Sequence, residues 1–147
     1  MTSENRLVIP ALGRVYAGLA PFTELAIRLV AGLSLAAHGY PKLFGATAAN
    51  AAFFEQAGFH PPLFWTILTG CTEFIGGLCL ATGLMTRVVS VPILVFLITA
   101  ISFHAANGFY WNKLGFEYPL FWAIVVFHFL VHGGGRWSLD ALIGREV

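Results

Sequence analysis

Four apolar stretches, at about 22–43, 62–84, 88–106 and 117–132, are each near the length of about 20 residues that a helix needs to cross a bilayer. Lipid offers no hydrogen-bond partner to a backbone amide, so a segment inside it must satisfy its own backbone, as a helix does. The expected fold class is therefore all-α: a four-transmembrane-helix bundle, read as one domain over residues 1–147. Prolines agree with this division. Pro61-Pro62, Pro92 and Pro119 each fall in a first turn, where a missing N–H costs little. The link Met85-Thr86-Arg87 is short, which makes the second and third spans antiparallel neighbours. Gly32 and Ala36, like Gly77 and Ala81, are spaced by four and allow close helix approach. Residues 5–19 mix Leu7, Val8, Ile9, Leu12, Val15 and Tyr16 with Arg6 and Arg14, and Pro10 interrupts them. That pattern predicts a short N-terminal amphipathic helix lying at the membrane interface.

Composition excludes a water-facing surface. Charged residues make up 10% of the chain and hydrophobic ones 58%, whereas a soluble domain carries about 25% charge. A net charge of +1 without basic runs argues against nucleic acid as a partner. Cys71 and Cys79, eight residues apart, would stand about 12 Å apart along a helix, beyond disulfide reach. Both are read as packing residues. The first stretch starts too late and runs too long for a signal peptide, and it carries Glu24 and Arg28, so an uncleaved helix is expected.

Arginine and lysine in the short loops set the orientation. Arg6, Arg14, Arg87, Arg136 and Arg145 would share one side, against Lys42 and Lys113 on the other. The expectation is a multi-pass protein of the bacterial inner (plasma) membrane with both termini cytoplasmic. Two polar layers follow. The outer one holds His38, Lys42, His104, Asn107 and Glu117; the inner one holds Glu24, Arg28 and His128, with His132 at its edge; Glu73 lies between them.

The motif His38-Gly39-Tyr40-Pro41-Lys42-Leu43-Phe44-Gly45 resembles the HGxxKLFG signature that ends the first helix of DoxX-type membrane proteins. Five further blocks follow in order. They are Phe54-Glu55-Gln56-Ala57-Gly58-Phe59, Glu73-Phe74-Ile75-Gly76-Gly77 with Gly83-Leu84-Met85-Thr86-Arg87, His104-Ala105-Ala106-Asn107-Gly108-Phe109, Phe116-Glu117-Tyr118-Pro119, and the run from Gly133 to Asp140. The likeness extends over about 24–146. It implies a four-helix inner-membrane bundle. The family takes its name from membrane subunits of a thiosulfate:quinone oxidoreductase, and other members are linked to membrane-bound redox and oxidative-stress complexes.

A charge at the centre of a spanning helix costs about 2.5–3.5 kcal/mol, so the few present are candidate functional residues. Glu24 and Arg28 are four apart with the acid first, the favourable order on one helix face. Glu73 has no cation within four residues, and Arg28 is its expected partner across the bundle. Glu24, Arg28 and Glu73 are thus read as a core ion pair or proton relay. In the outer half, His38, Glu73 and His104 are expected to line one pocket, with Lys42, Asn107 and Glu117 at its mouth. Tyr40, Phe103, Trp111, Phe116 and Tyr118 would supply aromatic walls. An apolar pocket with a few convergent polar groups is a ligand site, and this one suits a quinone headgroup.

Two histidines on different helices also meet the requirement for axial haem ligation, and imidazole with carboxylate suits several transition metals. Both need closer convergence, and no metal ligand set is assigned. His128 and His132 are read as packing polars. The function expected is that of a membrane subunit of a quinone-linked oxidoreductase, with quinone and a partner redox subunit as partners beside the bilayer. An oligomer is compatible with this. The alternative is a non-catalytic scaffold or assembly partner of a redox or stress-response complex. A small transporter is disfavoured by the absence of a visible inverted repeat.

Overall fold

The computed structural model describes residues 7–144. Arg6 and Arg145, counted above for orientation, lie outside the described residues. Six α-helices follow one another: α1 (Gly13–Phe44), α2 (Thr47–Gln56), α3 (Pro62–Thr82), α4 (Thr86–His104), α5 (Glu117–His132) and α6 (Leu139–Ile143). Short 3-10 turns sit at Pro10–Leu12, Ala105–Asn107 and Trp111–Lys113, and the described residues include no strand. The all-α membrane fold is therefore as expected. The stretches Pro10–Phe44, Pro62–Thr82 and Thr86–Asn107 are long and apolar enough to cross a membrane, and Glu117–His132 is a shorter apolar helix.

Two features differ from the sequence expectation. The 32 residues of α1 extend about 48 Å, well beyond a hydrocarbon core of about 30 Å. Among the described residues 7–19, no separate interfacial helix forms. Pro10 opens a 3-10 turn, and from Gly13 onward the segment is the first part of α1 itself. Continuing a helix leaves fewer unpaired amides than ending one and starting another. The connection at 45–60 is not an open loop either, because Thr47–Gln56 coils into α2. Its Ala-rich composition favours that.

The bundle is two helix pairs. α1 lies along α3, α4 lies along α5, and the α3–α4 hairpin joins them. Its tight turn uses Gly83 at φ 71°, whose N–H closes on the Leu80 carbonyl while Leu84 N–H reaches the Cys79 carbonyl. The left-handed conformation suits glycine there. Ala31, Leu35, Leu80, Ile93, Leu97, Ala123, Val126 and Phe129 form the packed centre.

α1 and α3 meet backbone to backbone. A Cβ added at Gly77 would sit 2.6 Å from the Gly32 carbonyl oxygen and 2.7 Å from the Ala36 nitrogen. Added at Gly32, it would lie 2.7 Å from Ala81 Cα. In lipid, such close packing of small residues is a main source of helix association. It also fixes register. Gly32 faces Ala81, Ala36 faces Gly77, Gly39 faces Phe74, and Gly70 faces Leu43.

That register overturns the expected Arg28–Glu73 pair. Glu73 falls opposite the 39–42 turn of α1, whereas Arg28 falls opposite the end of α3, about 18 Å away at 1.5 Å per residue. Glu73 pairs instead with Lys42. Arg28, only 2% exposed, donates to three backbone carbonyls: Nε to Ala81 (3.3 Å), Nη2 to Trp137 (2.7 Å) and Nη1 to Gly134. Ala81 lies in the last turn of α3, and Gly134 lies just past α5. The guanidinium therefore sits at the negative ends of two helix dipoles, with the carboxylates of Asp140 and Glu24 acting on it.

Asp140 completes this clamp. Its carboxylate accepts from Met85 N–H (2.7 Å) and Thr86 N–H (2.9 Å), and its own N–H donates to the Gly83 carbonyl (2.9 Å). Met85 has φ 49°, uncommon for a residue with a side chain, and Asp140 holds it there. Ser138 caps α6 by accepting from Ala141 N–H (3.0 Å). Trp137 lies edge-on to Phe22 at 4.4 Å. The 133–144 segment is thus bolted across the end of the bundle that holds the α3–α4 turn.

Two measurements check this account. Gly77→Ala should lower stability by about 1–3 kcal/mol through overpacking. Gly18→Ala, at a position with nothing within 4 Å, should gain about 0.5–1 kcal/mol from helix propensity. Thermal midpoints in detergent would decide, and equal shifts would refute the close contact. Arg28→Met should release the 133–144 segment and speed tryptic cleavage at the exposed Arg136; an unchanged cleavage rate would refute the clamp.

Candidate functional site

The buried positions of α4 are Thr86, Ser90, Ile93 and Leu97, and past Leu97 none of its residues is buried. Between α3 and α4 a gap runs along α4 from Pro92 to His104. The gap is a cavity of about 730 Å³, bounded by α3 and α4, crossed by α2 and touched by α1 only at Lys42. Pro92, which carries no N–H to bond within α4, lies on its wall.

The lining is mostly apolar and aromatic. From α4 through α2 to α3, edge-to-face rings succeed one another: Phe103 to Phe53 (5.8 Å between centroids), Phe53 to Phe54 (5.9 Å), Phe54 to Phe59 (5.7 Å) and Phe59 to Trp65 (5.6 Å). Such pairs hold their relative orientation better than aliphatic contacts do. They make one connected aromatic wall from three separate stretches of sequence.

The polar floor is the Lys42–Glu73 pair. Glu73 is 4% exposed and Lys42 reaches it across the α1–α3 seam. Lys42 also donates to the His38 carbonyl, 3.2 Å away, one turn back on its own helix. A buried carboxylate in lipid needs such a cation, because desolvation of an unpaired charge costs more than the helix contact returns.

His104 stands at the far end of α4, and its Nδ1 lies 2.7 Å from the Leu114 carbonyl. A carbonyl only accepts, so Nδ1 carries the proton and a neutral ring presents Nε2 as an acceptor.

The expected six-residue pocket divides. Lys42, Glu73 and His104 line the cavity. His38 is exposed and does not; its backbone carbonyl accepts from Lys42. Asn107 and Glu117 build the neighbouring loop instead. Asn107 Nδ2 donates to the Leu114 carbonyl (3.1 Å), and the Glu117 carboxylate accepts from Trp111 N–H (3.0 Å).

The aromatics divide likewise. Phe103 lines the cavity, Trp111 stacks on Tyr118 at 5.4 Å, Phe116 meets Phe109, and Tyr40 packs with Phe44 and Phe74. Glu24 and Arg28 belong to the opposite end. His128 and His132 are exposed on α5 with stacked rings 4.3 Å apart, and so are not packing residues.

Sequence alone does not point to Asn50, Phe53, Phe54 and Phe59, which lie between the first two spanning stretches. The available signal was the helical composition of 47–56 beside its paired phenylalanines. Among the described residues no group of three or more His, Cys, Asp or Glu converges as a metal site.

Comparison with known proteins bears on the same region. The DoxX family profile matches residues 23–106, which contain every residue that lines the cavity. The uncharacterized membrane protein Rv3486 of Mycobacterium tuberculosis is 27% identical over 149 residues, covering 94% of this chain and 91% of that protein. No solved structure matches the chain. With its apolar helices and the family match over more than half its length, the chain belongs to the DoxX family of membrane proteins.

Proposed function

We propose that this chain is a membrane component of a quinone-linked redox system, and that the cavity above the Lys42–Glu73 pair receives the quinone ring. One observation carries the reading: an aromatic-walled cavity of about 730 Å³ lies over a buried ion pair. Small-molecule sites are typically about 300–1,000 Å³ and mostly apolar, with few polar groups to fix orientation. A flat ring can lie against the wall of edge-to-face aromatics. Lys42 then offers an ammonium donor to a ring carbonyl, and His104 offers Nε2 as an acceptor to a ring hydroxyl. An ionisable pair held inside spanning helices is a functional site by default, and this one lines the cavity between α3 and α4.

The cavity end of the bundle also carries Lys42 and Lys113, whereas Arg14, Arg87 and Arg136 lie toward the clamped end. This distribution supports a bacterial inner-membrane protein with cytoplasmic termini and the cavity in the outer half.

Three outcomes are expected. Purified protein in nanodiscs should bind a decyl-tailed benzoquinone or its quinol, and His104→Ala should weaken that binding about tenfold or more. No binding of either form would leave the scaffold reading in its place. Glu73→Gln should destabilise by about 3 kcal/mol, the low end for a broken buried pair because Lys42 keeps 16% exposure. Adding Lys42→Met should restore stability but not ligand binding, and a double variant that binds normally would remove the pair from the site. In a background free of Cys71 and Cys79, cysteines at positions 48 and 112 should react with an impermeant reagent from outside intact cells. Cysteines at 14 and 136 should be protected, and the reverse pattern would invert the orientation.

A further inference from the structure

The hydrogen-bond donors on the cavity wall are largely spent on the protein's own backbone. Asn50 Nδ2 donates to the Ala46 carbonyl (2.9 Å) and Trp65 Nε1 to the His60 carbonyl (3.3 Å). The hydroxyls of Thr69, Thr72 and Thr99 donate to the carbonyls of Trp65 (2.8 Å), Leu68 (2.8 Å) and Val95 (2.9 Å) in their own helices. His104 Nδ1 is occupied by the Leu114 carbonyl. Two of the three ammonium protons of Lys42 go to Glu73 and to the His38 carbonyl.

What these groups leave toward a ligand is acceptor capacity. The inventory is the lone pairs of three threonine hydroxyls, Asn50 Oδ1, Nε2 of a neutral His104, and the remaining carboxylate lone pairs of Glu73. Donor capacity shrinks to one proton on Lys42 and one on the Asn50 amide. A quinone carbonyl only accepts, so most of this wall offers it nothing. A quinol hydroxyl donates as well as accepts, so it can pair with these acceptors. Burying an acceptor-rich wall against an acceptor-only ligand leaves all of those groups without partners, and the desolvation cost falls more heavily on the oxidised form, because each quinol hydroxyl satisfies one acceptor.

We infer that the cavity selects the reduced, dihydroxy form of its ring ligand over the oxidised, dicarbonyl form. The inference rests on the quinone reading above and narrows its ligand to a quinol or a similarly hydroxylated aromatic ring. A tenfold preference for the reduced form raises the midpoint potential of the bound two-electron couple by about 30 mV.

The test is calorimetric binding to the full chain in nanodiscs with three probes of equal tail length: a decyl benzohydroquinone, the matching benzoquinone, and the dimethyl ether of the hydroquinone. The hydroquinone should bind at least about tenfold tighter than the quinone, and the ether, which has lost both donors, should bind no better than the quinone. Thr72→Val, which removes one wall acceptor while keeping side-chain shape, should lower the hydroquinone-to-quinone affinity ratio. Equal binding of hydroquinone and quinone, or tighter quinone, overturns the selectivity and leaves the quinone reading standing. An ether that binds like the hydroquinone also overturns it. No binding of any probe overturns both readings.

Discussion

The seam between α1 and α3 is the constraint on which the rest of the bundle depends. With glycine at 32, 39, 70 and 77, the two backbones approach until a single Cβ would collide with the facing chain. Helices this close have one usable register, since sliding by one residue would bring a side chain into the contact. The hydrophobic effect cannot supply that choice inside lipid, where a leucine is as well solvated as in a core. Small-residue packing can, and it decides which charges on the two helices meet. Lys42 is delivered to Glu73, and Arg28 to the carbonyls at the end of α3.

The two polar ends created in this way solve the cost of buried charge differently. At the clamped end, Arg28 and Asp140 each have several backbone partners, and the 133–144 segment closes over them. Such a network rigidifies and offers a ligand nothing. At the cavity end, Lys42 and Glu73 have each other, but they face a space rather than a packed neighbour. The same chemistry serves as a fastening in one place and as an open polar floor in the other. What separates them is whether protein or a void covers the charge.

That void follows from the α3–α4 hairpin. The tight turn at Gly83 forces the two helices together at one end, and the buried face of α4 runs out after Leu97. From Pro92 onward α4 lines the void, and α2 spans it with Phe53 and Phe54. His104 Nδ1 and Asn107 Nδ2 both donate to the Leu114 carbonyl in the loop after α4, and His104 also lines the cavity. The same histidine thus ties the loop to the helix end that borders the void.

Much of this was legible in one dimension. Apolar runs of spanning length, prolines at the starts of α3 and α5 and the short Met85 link dictate an all-helical membrane bundle, because lipid leaves the backbone no alternative to internal hydrogen bonding. Pro92, expected in a first turn, lies instead inside α4, because that helix begins at Thr86. The spacing of Gly32, Ala36, Gly77 and Ala81 marked the faces that touch, and the rarity of Lys42, Glu73 and His104 in apolar surroundings marked them as candidates. Pairing was not legible. Sequence gives the depth of a charge along its own helix, but not the rotation or register of the helix opposite. Arg28 was therefore assigned to Glu73, and His38, Asn107 and Glu117 to a pocket that they only border or support. Only the packed backbone seam, with its register set by contact between glycines, decided which side chains share a space and which merely share a depth.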